Sequence, residues 1–377
     1  MRADVVVVGG GLTGSAISYY LAKAGVRVVL LEKGDLCSEA SGANQGGCPV
    51  LLTDSPITEL ILEGHKAYKG GLSEELGCDL EYQETGSLAC TTNKAVLPLL
   101  EEHARHLERQ GVSVRVIDRD ALLSEAPYLG AGIVGFAVEC PNDFTLNPFK
   151  VTYGFAHRAR ELGAQVLHAT PATGIRTSAH GVEAVTVADR AAIHTKWVVD
   201  AAGAWSPQIG KMIGIDVPVN PVQGQVLVTS AMPLTQFRYI LDADWLNPSF
   251  DVAGSYVQEA GGNWTIGASK QDVCYSKTVT HEISTGLLSK AVDFLPFLRN
   301  AQVIRSWAGL RPNCYYDGLP ILGNVRSCRG FVEATGVLEG VKLAPVIGKL
   351  IAELIVDGRS SISLERFAYE RILTKTK

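Results

Sequence analysis

The chain has 377 residues, which by length alone suggests two domains or one large α/β body with an insertion. Hydrophobic residues make up 46% and charged residues 19%, and the formal net charge is only −5. This composition excludes a disordered chain, and the lack of a Lys/Arg block argues against a nucleic-acid partner. Glycine is unusually frequent, at 39 residues without a repeat period, which indicates tight turns or backbone brought close to a ligand.

We expect a cytoplasmic protein without a membrane span. No apolar run reaches 18 residues, and glycines cut off the run Val5–Val8 too early for a secretory signal. The eight cysteines form neither a CxxC pair nor a cluster with zinc spacing, so we expect reduced, mostly buried thiols and no metal site.

The first element is a strand over Asp4–Val8, a β-branched apolar run typical of a buried parallel strand. It leads into residues 9–14, which read G-x-G-x-x-G, and then into a helix over Ser15–Ala24. A second apolar strand over Val26–Leu31 ends at Glu32. A lone glycine motif is weak, but this one stands between a strand and a helix and has an acid about twenty residues on. The unit predicts dinucleotide binding and leaves FAD and NAD open.

Each part of this unit has a physical role. Gly9 allows the tight turn, Gly11 lets the backbone approach a pyrophosphate, and Gly14 lets the helix pack closely on the strand. The helix N-terminus presents free N–H groups and a partial positive charge to the phosphates. Glu32 can accept both hydroxyls of an adenosine ribose. The alternative is a structural glycine turn in an α/β protein without a nucleotide.

After a loop over residues 36–47, helices and strands alternate to the end of the chain. Helices are predicted over Ile57–Leu76, Lys94–Gln110, Asp120–Ala126, Asn147–Leu162, His281–Phe294 and Leu343–Val356. Strands are predicted over Leu80–Cys90, Gly132–Glu139, Gln165–Ala169, Val182–Val187, Trp197–Asp200, Val217–Thr229, Ser255–Val257, Trp264–Gly267 and Phe331–Ala334. The ends are α/β, and the middle is rich in antiparallel-looking strands without linkers. We therefore expect two interleaved domains.

Several segments together resemble the family of FAD-dependent amine and amino-acid oxidoreductases. This family includes D-amino-acid oxidase, glycine oxidase, sarcosine oxidase, D-amino-acid dehydrogenase and the flavin subunits of opine and hydroxyproline dehydrogenases. The similar segments are Val5–Gly14 with Glu32, 40–44, Val198–Ser206, 222–225, 264–268, Trp307–Pro312, Asp317–Gly323 and 334–336 with 340–345. Their order and spacing along nearly the whole chain favour FAD over NAD.

The resemblance implies an α/β fold with two parts. A Rossmann-type FAD-binding domain would comprise residues 1–80, 145–205 and 315–377. An interleaved α+β substrate domain, residues 81–144 and 206–314, would be built on a large mixed or antiparallel sheet.

The resemblance also implies which residues contact FAD, from the pyrophosphate loop to the pyrimidine edge of the flavin. They are Gly9, Gly11, Leu12, Thr13, Gly14, Glu32, Lys33, Ser41, Gly42, Ala43, Asn44, Gln45, Gly46, Ala172, Ala201, Ala202, Gly203, Trp205, Gly336, Leu338, Glu339, Gly340, Val341 and Lys342. Many relatives carry His, and often Arg, after the glycine at 336, where this chain has Val337 and Leu338. The histidine that carries a covalent flavin in some relatives is therefore missing, and we expect non-covalent FAD.

Three side chains are expected at the substrate. In the family, the arginine of a Gly-Leu-Arg-Pro segment binds the substrate carboxylate, and here that residue is Arg311. The planar guanidinium fits a carboxylate with two parallel hydrogen bonds. The alternative is that Arg311 forms a surface or interdomain salt bridge. Tyr256 matches a substrate-contacting tyrosine, with an ordinary core aromatic as an equal alternative. Lys342 resembles a lysine beside the flavin in sarcosine oxidases, where it could stabilise reduced flavin or bind a carboxylate. Its equal alternative is solvent exposure.

The implied activity is oxidation of a small amino or imino acid of the glycine, sarcosine, D-amino-acid or proline type. Hydride would pass from Cα to flavin N5 and leave an imine. The electron acceptor is open: O₂ in oxidases, or a quinone or a heteromeric partner subunit with FMN or an iron–sulfur cluster in dehydrogenases. The stretch Ser41–Gly47 favours a dehydrogenase subunit. Other flavin enzymes are disfavoured because a second G-x-G-x-x-G and a CxxC are missing, whereas a non-catalytic flavin subunit remains an alternative.

Overall fold

The computed structural model describes residues 1–53, 55–188, 190–247 and 252–373. The strands are β1 Val5–Val8, β2 Val28–Leu31, β3 Gly47–Cys48, β4 Ser87–Cys90, β5 Arg115–Asp118, β6 Phe136–Cys140, β7 Phe144–Thr145, β8 Gln165–Leu167, β9 Ala172–Ser178, β10 Gly181–Val187, β11 Ile193–His194, β12 Trp197–Asp200, β13 Val219–Thr229, β14 Tyr239–Asp242, β15 Val252–Gln258, β16 Trp264–Ser269, β17 Val303–Cys314, β18 Ile321–Asn324 and β19 Phe331–Thr335. The helices are α1 Leu12–Lys23, α2 Thr58–Lys69, α3 Leu72–Leu76, α4 Leu97–Arg109, α5 Arg119–Glu125, α6 Pro148–Glu161, α7 Ser206–Lys211, α8 His281–Phe294, α9 Gly340–Asp357 and α10 Glu370–Leu373.

The first large sheet has the strand order β18-β19-β12-β1-β2-β8. Neighbours are parallel except for β18, which runs antiparallel at the edge. All four residues of β1 are buried valines, as a parallel strand covered on both faces requires. Helices α6 and α9 both pack against α1, so a helical layer covers the sheet. This sheet confirms the predicted α/β class.

The second large sheet has the order β17-β13-β16-β15-β14-β4-β6-β5. Its neighbours are antiparallel except for the parallel pair β14 and β4. Helix α8 packs on β15 and β16, where Tyr256, Trp264 and Phe294 form part of a buried cluster. The large mixed sheet is therefore also confirmed.

The chain passes repeatedly between these sheets. β1 and β2 belong to the first sheet, β4–β6 to the second, β8 and β12 to the first, β13–β17 to the second, and β18 and β19 to the first. Two small sheets, β11-β10-β9 and β3-β7, complete the arrangement. No helix among the described residues is both long enough and apolar enough to span a bilayer.

Many predicted elements have different bounds in the structure, and three of the differences are informative. The single helix predicted over Ile57–Leu76 is split into α2 and α3, because Gly71 adopts a left-handed φ of 95° that a continuous helix cannot contain. The strand predicted over Leu80–Cys90 is restricted to β4. The last long helix begins at Gly340, three residues before the predicted start.

The long strand β17 was not predicted. Its sequence lacks a regular apolar alternation, and it contains Gly309 and Pro312. It is stable as a strand because it pairs with β13 along its whole length, from Thr229 opposite Val303 to Val219 opposite Cys314. Proline is tolerated there because β17 lies at the edge of the sheet.

Candidate FAD cleft

A cleft opens where the carboxyl ends of β1, β2, β12 and β19 face β13 and β17 of the other sheet. Ligands bind at such strand ends in open α/β sheets. The cleft brings together eighteen of the residues predicted from the sequence. They are Gly9, Gly11, Leu12, Thr13, Glu32, Lys33, Ser41, Ala43, Asn44, Gln45, Ala172, Ala201, Ala202, Gly203, Trp205, Arg311, Leu338 and Gly340.

The turn between β1 and α1 requires its glycines. Gly9 has a φ of 112°, and a Cβ there would lie 2.3 Å from the backbone oxygen of Ala201. A Cβ on Gly14 would lie 1.9 Å from the backbone oxygen of Gly9. Helix α1 begins at Leu12, its N-cap residue Gly11 has no side chain to cap it, and its first turn has no acidic residue. Its N-terminus is therefore suited to an anionic group in the cleft.

Glu32 fixes this turn while facing the cleft. Its Oε2 accepts a hydrogen bond from the N–H of Gly10 at 2.7 Å, and its Oε1 accepts one from the N–H of Gly34 at 2.8 Å. The side chain is largely buried but lines the cleft. Since each carboxylate oxygen can accept more than one hydrogen bond, both can still receive donors from a ligand.

The loop of residues 40–45 joins the glycine turn to the second sheet. Ser41 Oγ accepts a hydrogen bond from the N–H of Leu12 at 3.0 Å, and Trp307 Nε1 donates to the Ala43 oxygen at 3.1 Å. Gln45 Nε2 lies 3.0 Å from the Thr265 oxygen. Anchored at both sides, the loop forms a wall of the cleft.

Lys33 lies against the indole ring of Trp205, with its Nζ 3.1 Å from the ring centroid. The ring of Tyr275 packs at a tilt against the same indole, with centroids 5.5 Å apart, and its hydroxyl donates a hydrogen bond to the Ala204 oxygen at 3.0 Å. Burial lowers the pKa of Lys33, while the carboxylates of Glu39 and Glu32 act in the opposite direction. The cation is thus held at the cleft wall by contact with an aromatic face.

Arg311 projects from β17 into the cleft. Its Nη1 donates to the Ser269 oxygen at 2.8 Å, and its guanidinium packs on Gly224, where a Cβ would lie 2.3 Å from Nη2. Among the described residues, no carboxylate lies within ion-pair distance of Arg311. Burial lowers its pKa and the charge of Glu339 opposes this, but a guanidinium stays protonated in proteins. The cleft therefore contains a cation that needs an anion.

A model of the family described as FAD dependent oxidoreductase matches residues 4–354. The chain belongs to this family. It is 30% identical over 384 residues to a glycine oxidase of Geobacillus kaustophilus, covering 99% of this chain and 98% of the relative. A solved structure of glycine oxidase from the same organism superposes with a TM-score of 0.89 at 28% identity, covering 97% and 98%. Hydrogen cyanide synthase subunit HcnC of Pseudomonas protegens is 27% identical, covering 98% and 96%.

The cleft of this FAD dependent oxidoreductase fits its cofactor. The turn needs its glycines to stay tight, because a Cβ at Gly9 or Gly14 would collide with the backbone oxygen of Ala201 or of Gly9. The N-terminus of α1, whose first turn has no acidic residue, and the cation of Lys33 suit phosphates, and the carboxylate of Glu32 suits ribose hydroxyls. FAD is the cofactor of the protein.

Tyr256 does not line the cleft of the FAD dependent oxidoreductase. Its side chain is fully buried, and its ring centroid lies 5.4 Å from that of Phe294 on α8. Side chains alternate along β15, so Tyr256 faces α8 while the neighbouring Val257 belongs to the core on the opposite side. This corrects the expectation of a substrate contact: Tyr256 is the core aromatic that the alternative described.

Lys342 lies in the first turn of α9, where its side chain is buried and does not line the cleft. Its Nζ donates to the Pro49 oxygen at 2.9 Å and lies 2.8 Å from Glu339 Oε2. The alternative of solvent exposure is therefore wrong, and the lysine ties α9 to the segment after β3. The other predicted residues outside the cleft lining are Gly14, Gly42, Gly46, Gly336, Glu339 and Val341.

Sequence reasoning missed part of the cleft lining. The missed residues include Glu39, Ala40, Pro171, Ala204, Gln208, Ile209, Met212, Gly224, Val226, Gly309, Leu310, Pro312, Ala334, Thr335 and Val337. Gly224 and Gly309 lie in segments that resemble the family, so their small size was an available signal. No sequence signal indicated Gln208 and Met212, because the short helix α7 was not predicted.

Proposed function

We propose that the protein oxidises the C–N bond of a small amino or imino acid and that Arg311 binds the substrate carboxylate. The main support for this proposal is the guanidinium of Arg311, which faces the cleft without a carboxylate partner in the described part of the chain. A planar fork of N–H donors matches the two oxygens of a carboxylate. The name glycine oxidase, borne by a relative 30% identical to this chain, supports an amino-acid substrate.

The roles of the protein residues follow from their contacts. Bound FAD would supply the hydride acceptor for oxidation of the substrate carbon. The glycine turn and the α1 N-terminus bind the pyrophosphate, Glu32 binds the ribose, and Arg311 orients the substrate by its carboxylate. We name no general base, since a neutral amine needs none.

We further propose that FAD is held without a covalent bond and that residues 1–80, 145–205 and 315–377 form its domain. Residues 374–377 of this domain lie outside the described part of the chain. The substrate domain comprises residues 81–144 and 206–314. Val337 and Leu338 support non-covalent binding, since neither side chain can attack a flavin.

The purified protein is expected to be yellow and to lose its flavin colour when an amino or imino acid is added without oxygen. Glycine, sarcosine, D-amino acids and proline derivatives, including hydroxyproline, form the test panel, and amines without a carboxylate form the matched control. Reduction by a carboxylate substrate alone supports the proposal, because only such a substrate can pair with Arg311. Equal reduction by the control amines, or reduction by neither group, would refute it.

The electron acceptor is tested separately. We propose a dehydrogenase that passes electrons to a quinone or to a partner subunit in the cytoplasm, supported by the similarity to a protein named as a subunit, HcnC. The name glycine oxidase favours O₂ instead. Substrate-reduced protein mixed with air-saturated buffer is expected to reoxidise slowly and to reduce a quinone analogue faster. Rapid reoxidation with stoichiometric hydrogen peroxide would identify an oxidase.

A further inference from the structure

Two carboxyl groups face each other beneath the cleft. Asp200 at the end of β12 is paired in register with Glu333 on the parallel strand β19, and both side chains are 0% exposed. The residues that follow them on each strand, Ala201 and Ala334, line the cleft. The carboxyl pair therefore lies directly under the cleft wall formed by these two strand ends.

The hydrogen bonds of the pair are unequal. Asp200 Oδ1 accepts from the N–H of Ala202 at 2.9 Å and from Ser206 Oγ at 3.1 Å. Asp200 Oδ2 and both oxygens of Glu333 receive no donor from the described residues. Ionised carboxylates can only accept hydrogen bonds, and burying two of them face to face without a donor is strongly unfavourable. A single proton between the pair removes this conflict, because a protonated carboxyl can donate.

The surroundings indicate where that proton resides. Burial raises the pKa of Glu333 well above its usual range, and the negative charge of Asp200 raises it further. Burial also raises the pKa of Asp200, but the donors Ala202 and Ser206 stabilise its ionised form. Glu333 therefore carries the proton.

No other charged group faces the pair from the described elements beside it. On the adjacent strands, Val8 pairs with Asp200 and Gly323 pairs with Glu333. The nearby titratable group is Tyr369, whose hydroxyl donates to the Asp216 oxygen at 2.9 Å. Substitutions of Asp200 and Glu333 can therefore report on the titration of the pair.

A short hydrogen-bond path connects the pair to the cleft. Ser206 Oγ lies 3.1 Å from Asp200 Oδ1 and 2.7 Å from Thr335 Oγ1, and the Thr335 hydroxyl in turn donates to the Gly203 oxygen at 3.2 Å. Thr335 lines the cleft, as does Ala202, whose N–H is bound by the same Asp200 oxygen. A change in the charge of the pair therefore affects Ala202 and Thr335, two residues of the cleft wall.

We propose that Asp200 and Glu333 share one proton and act as positioning residues, holding the ends of β12 and β19 in the geometry that binds FAD. The proposal rests on FAD occupying the cleft described above. Loss of the shared proton at alkaline pH places two negative charges against each other and separates the strand ends. FAD affinity should then fall with rising pH.

Infrared spectroscopy and stability measurements on the full chain test the shared proton. The wild-type protein at neutral pH is expected to show the carbonyl band of a buried carboxylic acid that Glu333→Gln lacks. The folded protein keeps a proton on the pair, whereas an unfolded chain releases the Glu333 proton near the ordinary pKa of 4.5. Above pH 4.5 and up to the raised pKa of the pair, the equilibrium constant for unfolding of the wild type should therefore rise about tenfold per pH unit relative to that of Glu333→Gln. Asp200→Asn, whose amide donates to Glu333, provides a second variant.

The FAD dissociation constant tests the positioning role without any turnover. In the wild type it should rise by up to tenfold per pH unit above the pKa of the pair, and in Glu333→Gln it should be independent of pH, since an amide donates to Asp200 at every pH. The shared proton would be overturned if the carboxylic-acid band persisted in Glu333→Gln, or if the stability of the wild type and of Glu333→Gln had the same dependence on pH. A wild-type FAD affinity that does not vary with pH would overturn the positioning role. Neither result depends on which amino acid is oxidised, so failure of the proposed function is a separate outcome.

Discussion

Arg311→Met is expected to lower kcat/KM for a carboxylate substrate by roughly 100-fold or more. Removing one partner of a buried, hydrogen-bonded charge pair costs about 3 kcal/mol or more, which corresponds to this factor. Methionine retains much of the packing volume against Gly224 but leaves the substrate carboxylate without a counter-charge. Steady-state kinetics and the anaerobic rate of flavin reduction measure the effect.

Two variants make this result specific. Arg311→Lys keeps the charge but loses the planar fork, so its kcat/KM should lie between those of the wild type and Arg311→Met. Arg299→Met removes an exposed arginine just before β17 and should behave as wild type. FAD content should be equal in all four proteins. A wild-type kcat/KM in Arg311→Met would show that another group binds the carboxylate.

Gly9→Ala is expected to raise the FAD dissociation constant by roughly 100-fold or more. Alanine at a φ of 112° is strained by about 1–3 kcal/mol, and its Cβ would lie 2.3 Å from the backbone oxygen of Ala201, which cannot rotate away. The glycine turn must therefore shift, and the phosphate-binding N-terminus of α1 shifts with it. Titration of the apoprotein with FAD, followed by flavin fluorescence, measures the change.

The matched control separates backbone strain from loss of the site. Gly25 has a φ of 78°, but a Cβ added there would have no atom within 4 Å, so Gly25→Ala should lose about 1–2 kcal/mol of stability without a change in FAD affinity. Gly11→Ala is a graded variant, because its Cβ would meet only the Ser41 side chain, with the hydroxyl at 2.8 Å. Equal FAD affinity in Gly9→Ala and Gly25→Ala would contradict a phosphate site at this turn.

Local sequence signals predicted the parts of the fold that form locally. The glycine turn, β1, α1 and the acid at the end of β2 are contiguous, and α8 was predicted at its observed bounds, His281–Phe294. The strand β17 was missed because its stability comes from pairing with β13, which lies far away in the sequence. Pairing between distant segments leaves no periodic pattern in either one.

The same limit applies to the candidate site. The direction of Tyr256 depends on which face of β15 is covered by α8, and a short strand segment does not reveal this. The buried carboxyl pair arises because the register of β12 and β19 sets Asp200 beside Glu333. Arg311 could be predicted to lie in the cleft because its neighbours in the sequence resemble a known pattern. Whether its guanidinium is exposed, or paired with a carboxylate of the protein, could not be predicted from the sequence.

The repeated passage of the chain between the sheets has a consequence for biosynthesis. β19, which forms a wall of the cleft beside β12, leaves the ribosome long after β1 and β12. Contacts between such distant segments slow folding, and incomplete sheets expose unpaired edges that aggregate. The cofactor site can therefore form only after β19 has been made, long after β1. Expression yield should accordingly depend on chaperone capacity and on flavin supply once β19 has been made.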